Sequence, residues 1–169
     1  MLSSGAFPSS EARETGFDLA AGLAANCLRN DLTVGLIARG RTNQSLEPGK
    51  GPARLRPILR SLAYSESDCP VPTAQLLQQI GHSLGSGSTL LLVTGALTPS
   101  MLSRLTSMVQ MGMGVAVFLV TNRTAGNTDD QFASRNRLFR CWVVPAGAQY
   151  FHLDGALTER HGDMSRQTI

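Results

Sequence analysis

Two short apolar runs flank an amphipathic segment in the stretch TLLLVTGALTPSMLSRLTSMVQMGMGVAVFLV, which covers residues 89–120. Residues 89–93 and 115–120 show no polar alternation, which is typical of strands covered on both faces. Between them, Thr98-Pro99 can cap and begin a helix, and Gly112 can end it. The stretch therefore predicts a strand, a helix and a second strand, which is the repeating unit of a parallel sheet.

The same alternation of helices and strands extends over most of the chain. The other predicted elements are a helix at 17–28, a strand at 32–38, an edge strand at 43–47, helices that begin at Pro52 and Thr73, a helix at 132–139 and a last strand at 141–144. Such alternation predicts an α/β fold with three layers, in which a mostly parallel sheet carries helices on both faces. We expect one domain at 16–157, a flexible lead-in at 1–15 and a frayed tail at 158–169.

Composition narrows the classes of function. The chain has 169 residues, 42% of them hydrophobic and 16% charged, which favours a packed core over disorder. No apolar run approaches the roughly 20 residues that a membrane-spanning helix needs, and residues 1–10 lack the pattern of a signal peptide. The cysteines Cys27, Cys69 and Cys141 are too widely spaced for a metal motif and read as buried thiols. We therefore expect a cytoplasmic protein.

The basic residues do not form a nucleic-acid-binding pattern. The net charge is +3, and Lys50 is the single lysine among 15 basic residues. The arginines are scattered along the chain, which contains one Trp and two Tyr. Because nucleic-acid surfaces need clustered basic residues, usually with stacking aromatics, we expect no nucleic-acid partner.

The ends of the predicted strands are the first place to look for chemistry, because ligands of open α/β sheets bind there. These ends read ARG at 38–40, TGA at 94–96, TNR at 121–123 and PAG at 145–147, without a carboxylate. Metal and hydrolytic sites usually use Asp, Glu, His or Cys, and the glycine-rich phosphate-binding motifs are also missing. The sequence therefore favours a non-catalytic interaction module. The alternative is a small doubly wound α/β enzyme, or a domain that binds a nucleotide or phosphate ligand.

The order of the segments resembles a known bacterial family. The succession FDLAAGLAA (17–25), VGLIA (34–38), PGKG (48–51), LRPILRSLA (55–63) and TLLLVT (89–94) resembles the C-terminal half of the family called domain of unknown function fifty-eight. That half is similar to a von Willebrand factor A domain, and members tend to be encoded beside MoxR-type AAA+ ATPases. The resemblance implies an adaptor or assembly role with such an ATPase and no enzymatic activity.

The resemblance also implies where a metal would bind. Von Willebrand A domains hold a divalent ion with Asp-x-Ser-x-Ser after the first strand, a Thr in a middle loop and an Asp after the fourth strand. Here no Asp-x-Ser-x-Ser precedes Phe17, Thr94-Gly95 stands in place of the later Asp, and Thr73 alone can match the middle Thr. Because hard cations need several oxygen ligands, we expect no metal, cofactor or catalytic residue. Thr73, Thr94 and Gly95 are weak candidates for a degenerate site.

The first, central strand of such a sheet has no counterpart in the apolar pattern, because residues 1–16 contain no apolar run. Its absence would leave unpaired backbone groups on the strands at 33–38 and 89–94. Three outcomes are open: the chain is a fragment, the two neighbours pair directly, or another chain supplies the strand, as in a homodimer.

Overall fold

The computed structural model describes residues 2–3, 7–39, 43–65, 73–122 and 138–147. Within these ranges, six strands form one sheet in the order β3-β2-β1-β4-β5-β6. The strands are β1 (Leu2–Ser3), β2 (Val34–Arg39), β3 (Asn43–Gly49), β4 (Thr89–Thr94), β5 (Gly114–Thr121) and β6 (Arg140–Pro145). The helices are α1 (Ser10–Arg29), α2 (Leu55–Ala63), α3 (Thr73–Ser83) and α4 (Pro99–Gln110). β3 runs antiparallel to β2, and the other strand pairs are parallel.

The helices cover both faces of the sheet, which confirms the predicted three-layer α/β architecture. α1 and α2 form one core with Leu19 and Ile58, whereas α3 and α4 form the other with Leu77 and Leu105. In β4, Val93 belongs to the first core and its neighbour Leu92 to the second. Successive side chains of a strand point to opposite faces, so a strand between two helical layers must be apolar throughout.

The first central strand, predicted to be absent, is present as a piece of two residues. Leu2 pairs with Ala38 of β2 and with Val93 of β4. The direct pairing of β2 with β4 therefore does not occur, because β1 separates them. β1 reaches only the last two residues of β2; in the described part of the chain, no strand lies beside residues 34–36 on that side.

Helix α1 begins earlier than the apolar pattern predicts. Its N-cap is Ser9, whose side-chain oxygen accepts a hydrogen bond from the Ala12 N–H at 3.1 Å. Residues 10–15 are thus helical, where the sequence predicted a flexible lead-in. The start of α4 is as predicted: Thr98 accepts from the Met101 N–H at 3.3 Å, and Pro99 takes the first helical position.

The predicted buried thiols, the predicted helix at 132–139 and the predicted tail at 158–169 fall partly or wholly outside the described residues. Cys27 is half-buried, and burial raises the pKa of its thiol. Cys69, most of the helix predicted at 132–139 and the tail predicted at 158–169 lie outside the described residues.

No helix in the described ranges has the length and apolar character needed to cross a membrane.

Candidate functional site

Thr94 and Gly95 lie at the carboxyl end of β4, in the middle of the sheet. Thr94 is fully buried, and its hydroxyl donates a hydrogen bond to the Ala96 carbonyl oxygen at 3.0 Å. The Ala96 N–H points back to the same hydroxyl at 3.5 Å. The Thr94 hydroxyl therefore closes the turn that follows β4, with Gly95 between the two bonded residues.

Thr73 is the first residue of α3 and is half-buried. The other end of α3 is at Ser83, a short loop before β4 begins at Thr89. A helix that leads into a parallel strand runs back along the sheet, so its first residue lies towards the carboxyl ends of the strands. Thr73 is thus placed on the side of the sheet that holds Thr94 and Gly95.

The start of α1 is tied to the same carboxyl edge. The Ser9 hydroxyl donates to Asn122 Oδ1 at 2.8 Å, which joins the N-cap to the residue after β5. Ser9 therefore has two roles, because its oxygen also caps α1. Ser9 was not predicted as an N-cap, although such a residue is a recognisable signal. Asn122 belongs to the predicted strand end at 121–123, but its contact with Ser9, 113 positions away, has no signal in the sequence.

A second hydrogen bond links α1 to the end of β6. Thr15 is buried, its hydroxyl donates to the Glu11 carbonyl oxygen at 2.9 Å, and it accepts from the Gly147 N–H at 2.9 Å. Gly147 has a φ of +77°, a conformation that glycine adopts without strain. The Glu11 carboxylate also lies against Gly147, since a Cβ added to this glycine would be 2.5 Å from Glu11 Oε1. This carboxylate comes from a helix, so a search of strand ends overlooks it.

This edge carries hydroxyl, amide and backbone groups together with the Glu11 carboxylate. The Thr15 and Ser9 hydroxyls bond to Gly147 and Asn122 far along the chain, whereas the Thr94 hydroxyl bonds within its own turn, to Ala96. Among the described residues, no group of three or more His, Cys, Asp or Glu side chains is placed to hold a metal ion. The edge as described is built to join α1 to the sheet.

Comparison with known proteins gives one result on the fold. No protein-family model and no curated protein matches the chain. Among solved structures, the chain is similar to a von Willebrand factor type A protein from Catenulispora acidiphila, with a TM-score of 0.52 and 10% sequence identity. The match covers 87% of this chain and 37% of that chain. This protein therefore has a von Willebrand factor A-like fold, and it spans well under half of the length of the protein it matches.

Proposed function

We propose that this chain is a non-catalytic protein-interaction module. The observation that supports it is the use of polar groups at the carboxyl edge: Thr15 and Ser9 bond to distant residues, and Thr94 bonds within the turn after β4. Catalytic sites instead bring titratable groups together in a pocket, facing the space that a substrate occupies. The von Willebrand factor A-like fold suits the proposal, because it presents rigid helical faces around one sheet.

The partner that we propose is a MoxR-type AAA+ ATPase or an assembly built on one. Its support is the resemblance of residues 17–25, 34–38 and 55–63 to a family whose members tend to be encoded beside such ATPases. The test mixes the purified chain with a purified MoxR-type ATPase from the same genome, with and without ATP. We expect a complex on size-exclusion chromatography; separate elution under both conditions would reject this partner.

If the chain is instead an enzyme or a nucleotide-binding domain, its ligand should raise the melting temperature. Ligands that bind only the folded state stabilise it by mass action, by about 2.7 kcal/mol at 100 times the dissociation constant. We expect no shift of the melting temperature with Mg²⁺, Mn²⁺, ATP or inorganic phosphate. A saturable shift that Thr94→Val abolishes, with Thr98→Val as the matched control, would favour the alternative and place the ligand at the end of β4.

We also propose that the chain forms a homodimer through the strand edges that β1 leaves without a described neighbour. The support is that, among the described residues, Val34 and Leu36 of β2 have a strand partner only on the β3 side. Edges of this kind can accept a strand from a second chain. We expect a dimer by light scattering coupled to size-exclusion at micromolar concentration; an 18.0 kDa monomer would reject the homodimer.

A further inference from the structure

Helix α2 presents an apolar and basic surface on the side away from the sheet. Arg56 and Arg60 lie one turn apart on α2, Leu59 directly precedes Arg60, and Tyr64 is the C-cap residue four positions after Arg60. We call these four residues the α2 face. Leu59 is 43% exposed and Tyr64 is 62% exposed, although both carry large apolar groups. Ile58, on the opposite side of α2, is fully buried in the core.

Among the described residues, the two arginines of the α2 face have no ion-pair partner. Residues 48–65 contain no Asp or Glu, and Glu66 and Asp68 follow in the sequence. The two arginines lie four positions apart on α2, a spacing at which like charges repel. Arg60 lies over the Tyr64 ring, with its guanidinium carbon 5.8 Å from the ring centroid, which orders it for a further contact.

Lys50 and Arg54 lie near the α2 face in the sequence, but they do not enlarge its positively charged surface. Lys50 pairs with Asp31, with 3.6 Å between Nζ and Oδ2. The Nε of Arg54 is buried without a hydrogen-bond partner and lies 3.0 Å from where a Cβ on Gly49 would be. Among the described residues, the α2 face therefore offers two guanidinium groups without an ion pair, beside one exposed leucine.

We propose that the α2 face docks an acidic segment of a partner protein, in which carboxylates flank an apolar side chain. The inference rests on the proposed function and names the chemistry of the partner. Each guanidinium can bind a carboxylate through two parallel hydrogen bonds. Leu59 and Tyr64 supply apolar contacts beside the arginines, and Tyr and Arg are among the residues that dominate binding energy at protein interfaces.

The small number of basic residues on the α2 face favours an acidic peptide over a nucleic acid or an anionic lipid surface as its partner. A duplex nucleic-acid surface involves some 6–10 phosphate contacts, and recognition of anionic lipid headgroups uses clusters of about 4–8 basic residues. The α2 face has two arginines with an exposed Leu59 beside them, which fits a short peptide segment that carries carboxylates and an apolar side chain.

The test measures binding of a fluorescein-labelled synthetic peptide, in which glutamates flank a leucine, by fluorescence anisotropy at low salt. A second peptide carries glutamine in place of glutamate. We expect Arg56→Gln/Arg60→Gln to weaken binding of the glutamate peptide by about tenfold or more. Arg104→Gln, on the exposed side of α4, is the matched control and leaves binding unchanged. A charge-reversed chain, Arg56→Glu/Arg60→Glu, should instead bind a peptide in which lysines flank the leucine.

Several outcomes would overturn the α2 face as the docking surface: no binding of the glutamate peptide, equal binding of the glutamine peptide, or equal affinity of the Arg56→Gln/Arg60→Gln chain. Tighter binding of phosphatidylserine vesicles or single-stranded RNA would overturn the choice of a protein partner. The MoxR-type ATPase assay separates this inference from the proposed function. If the ATPase binds the wild-type and Arg56→Gln/Arg60→Gln chains equally, the partner stands and the α2 face is rejected.

Discussion

Leu92→Ala is expected to lower the free energy of unfolding by about 2–5 kcal/mol, the usual range for a leucine truncated in a well-packed core. Leu92 is fully buried in β4 and packs in the core that α3 and α4 form with the sheet. β5 pairs with β4 along its whole length, and β1 pairs with it at Val93, so the surrounding side chains cannot readily close a cavity there. The loss comprises the transfer free energy of the removed carbons and the cost of that cavity.

Urea unfolding measures the effect, with the dependence on urea concentration compared between variants to check that the transition stays two-state. The matched control is Leu32→Ala, the same chemical change at a residue that is 54% exposed. Leu32→Ala should change the free energy of unfolding by no more than about 0.5 kcal/mol. Equal losses in the two variants would mean that β4 is not the centre of the packed sheet.

The strands that the sequence predicts best are those buried on both faces. β4 and β5 appear as uninterrupted apolar runs, because side chains on either side of each strand enter a core. β1 gives no such signal, since two residues cannot form a pattern. Its position depends on pairing with Ala38 and Val93, which are distant in the sequence.

The start of α1 was missed for a different physical reason. Its first turns bury Ala12, Thr15 and Gly16, which are small or polar, so they do not mark an apolar stripe. Gly16 is small because the Phe7 ring lies against it: a Cβ there would be 2.6 Å from the ring. Close approach of chain segments selects small residues, and a search for large apolar side chains overlooks them.

The candidate site was predictable only in its location. Thr94 and Gly95 were found because the carboxyl end of a buried strand can be read from its apolar run. The bonds that organise the edge join residues far apart in the chain, with 132 positions between Thr15 and Gly147. No pattern of neighbouring residues indicates such a pair, so these contacts could not be predicted from the sequence and only the structure reveals them.

Thr15→Val should lower the free energy of unfolding by about 1–3 kcal/mol, although valine has nearly the same shape as threonine. The substitution removes the hydroxyl that accepts from the Gly147 N–H, and it leaves that partly buried donor without its partner. Because Gly147 lies directly after β6, the lost bond also frees the end of this strand from α1. Amide hydrogen exchange at Gly147 should accelerate by more than the global loss of stability explains.

Thr15→Ser is the matched variant, because serine keeps the hydroxyl that bonds to the Glu11 carbonyl oxygen and to the Gly147 N–H. It should retain slow exchange at Gly147 and lose less stability than Thr15→Val. If Thr15→Ser loses stability and Thr15→Val does not, the methyl group of Thr15 and not its hydroxyl supports the edge. In that case water replaces the Gly147 bond without cost, and packing together with the Ser9–Asn122 hydrogen bond holds α1 to the sheet.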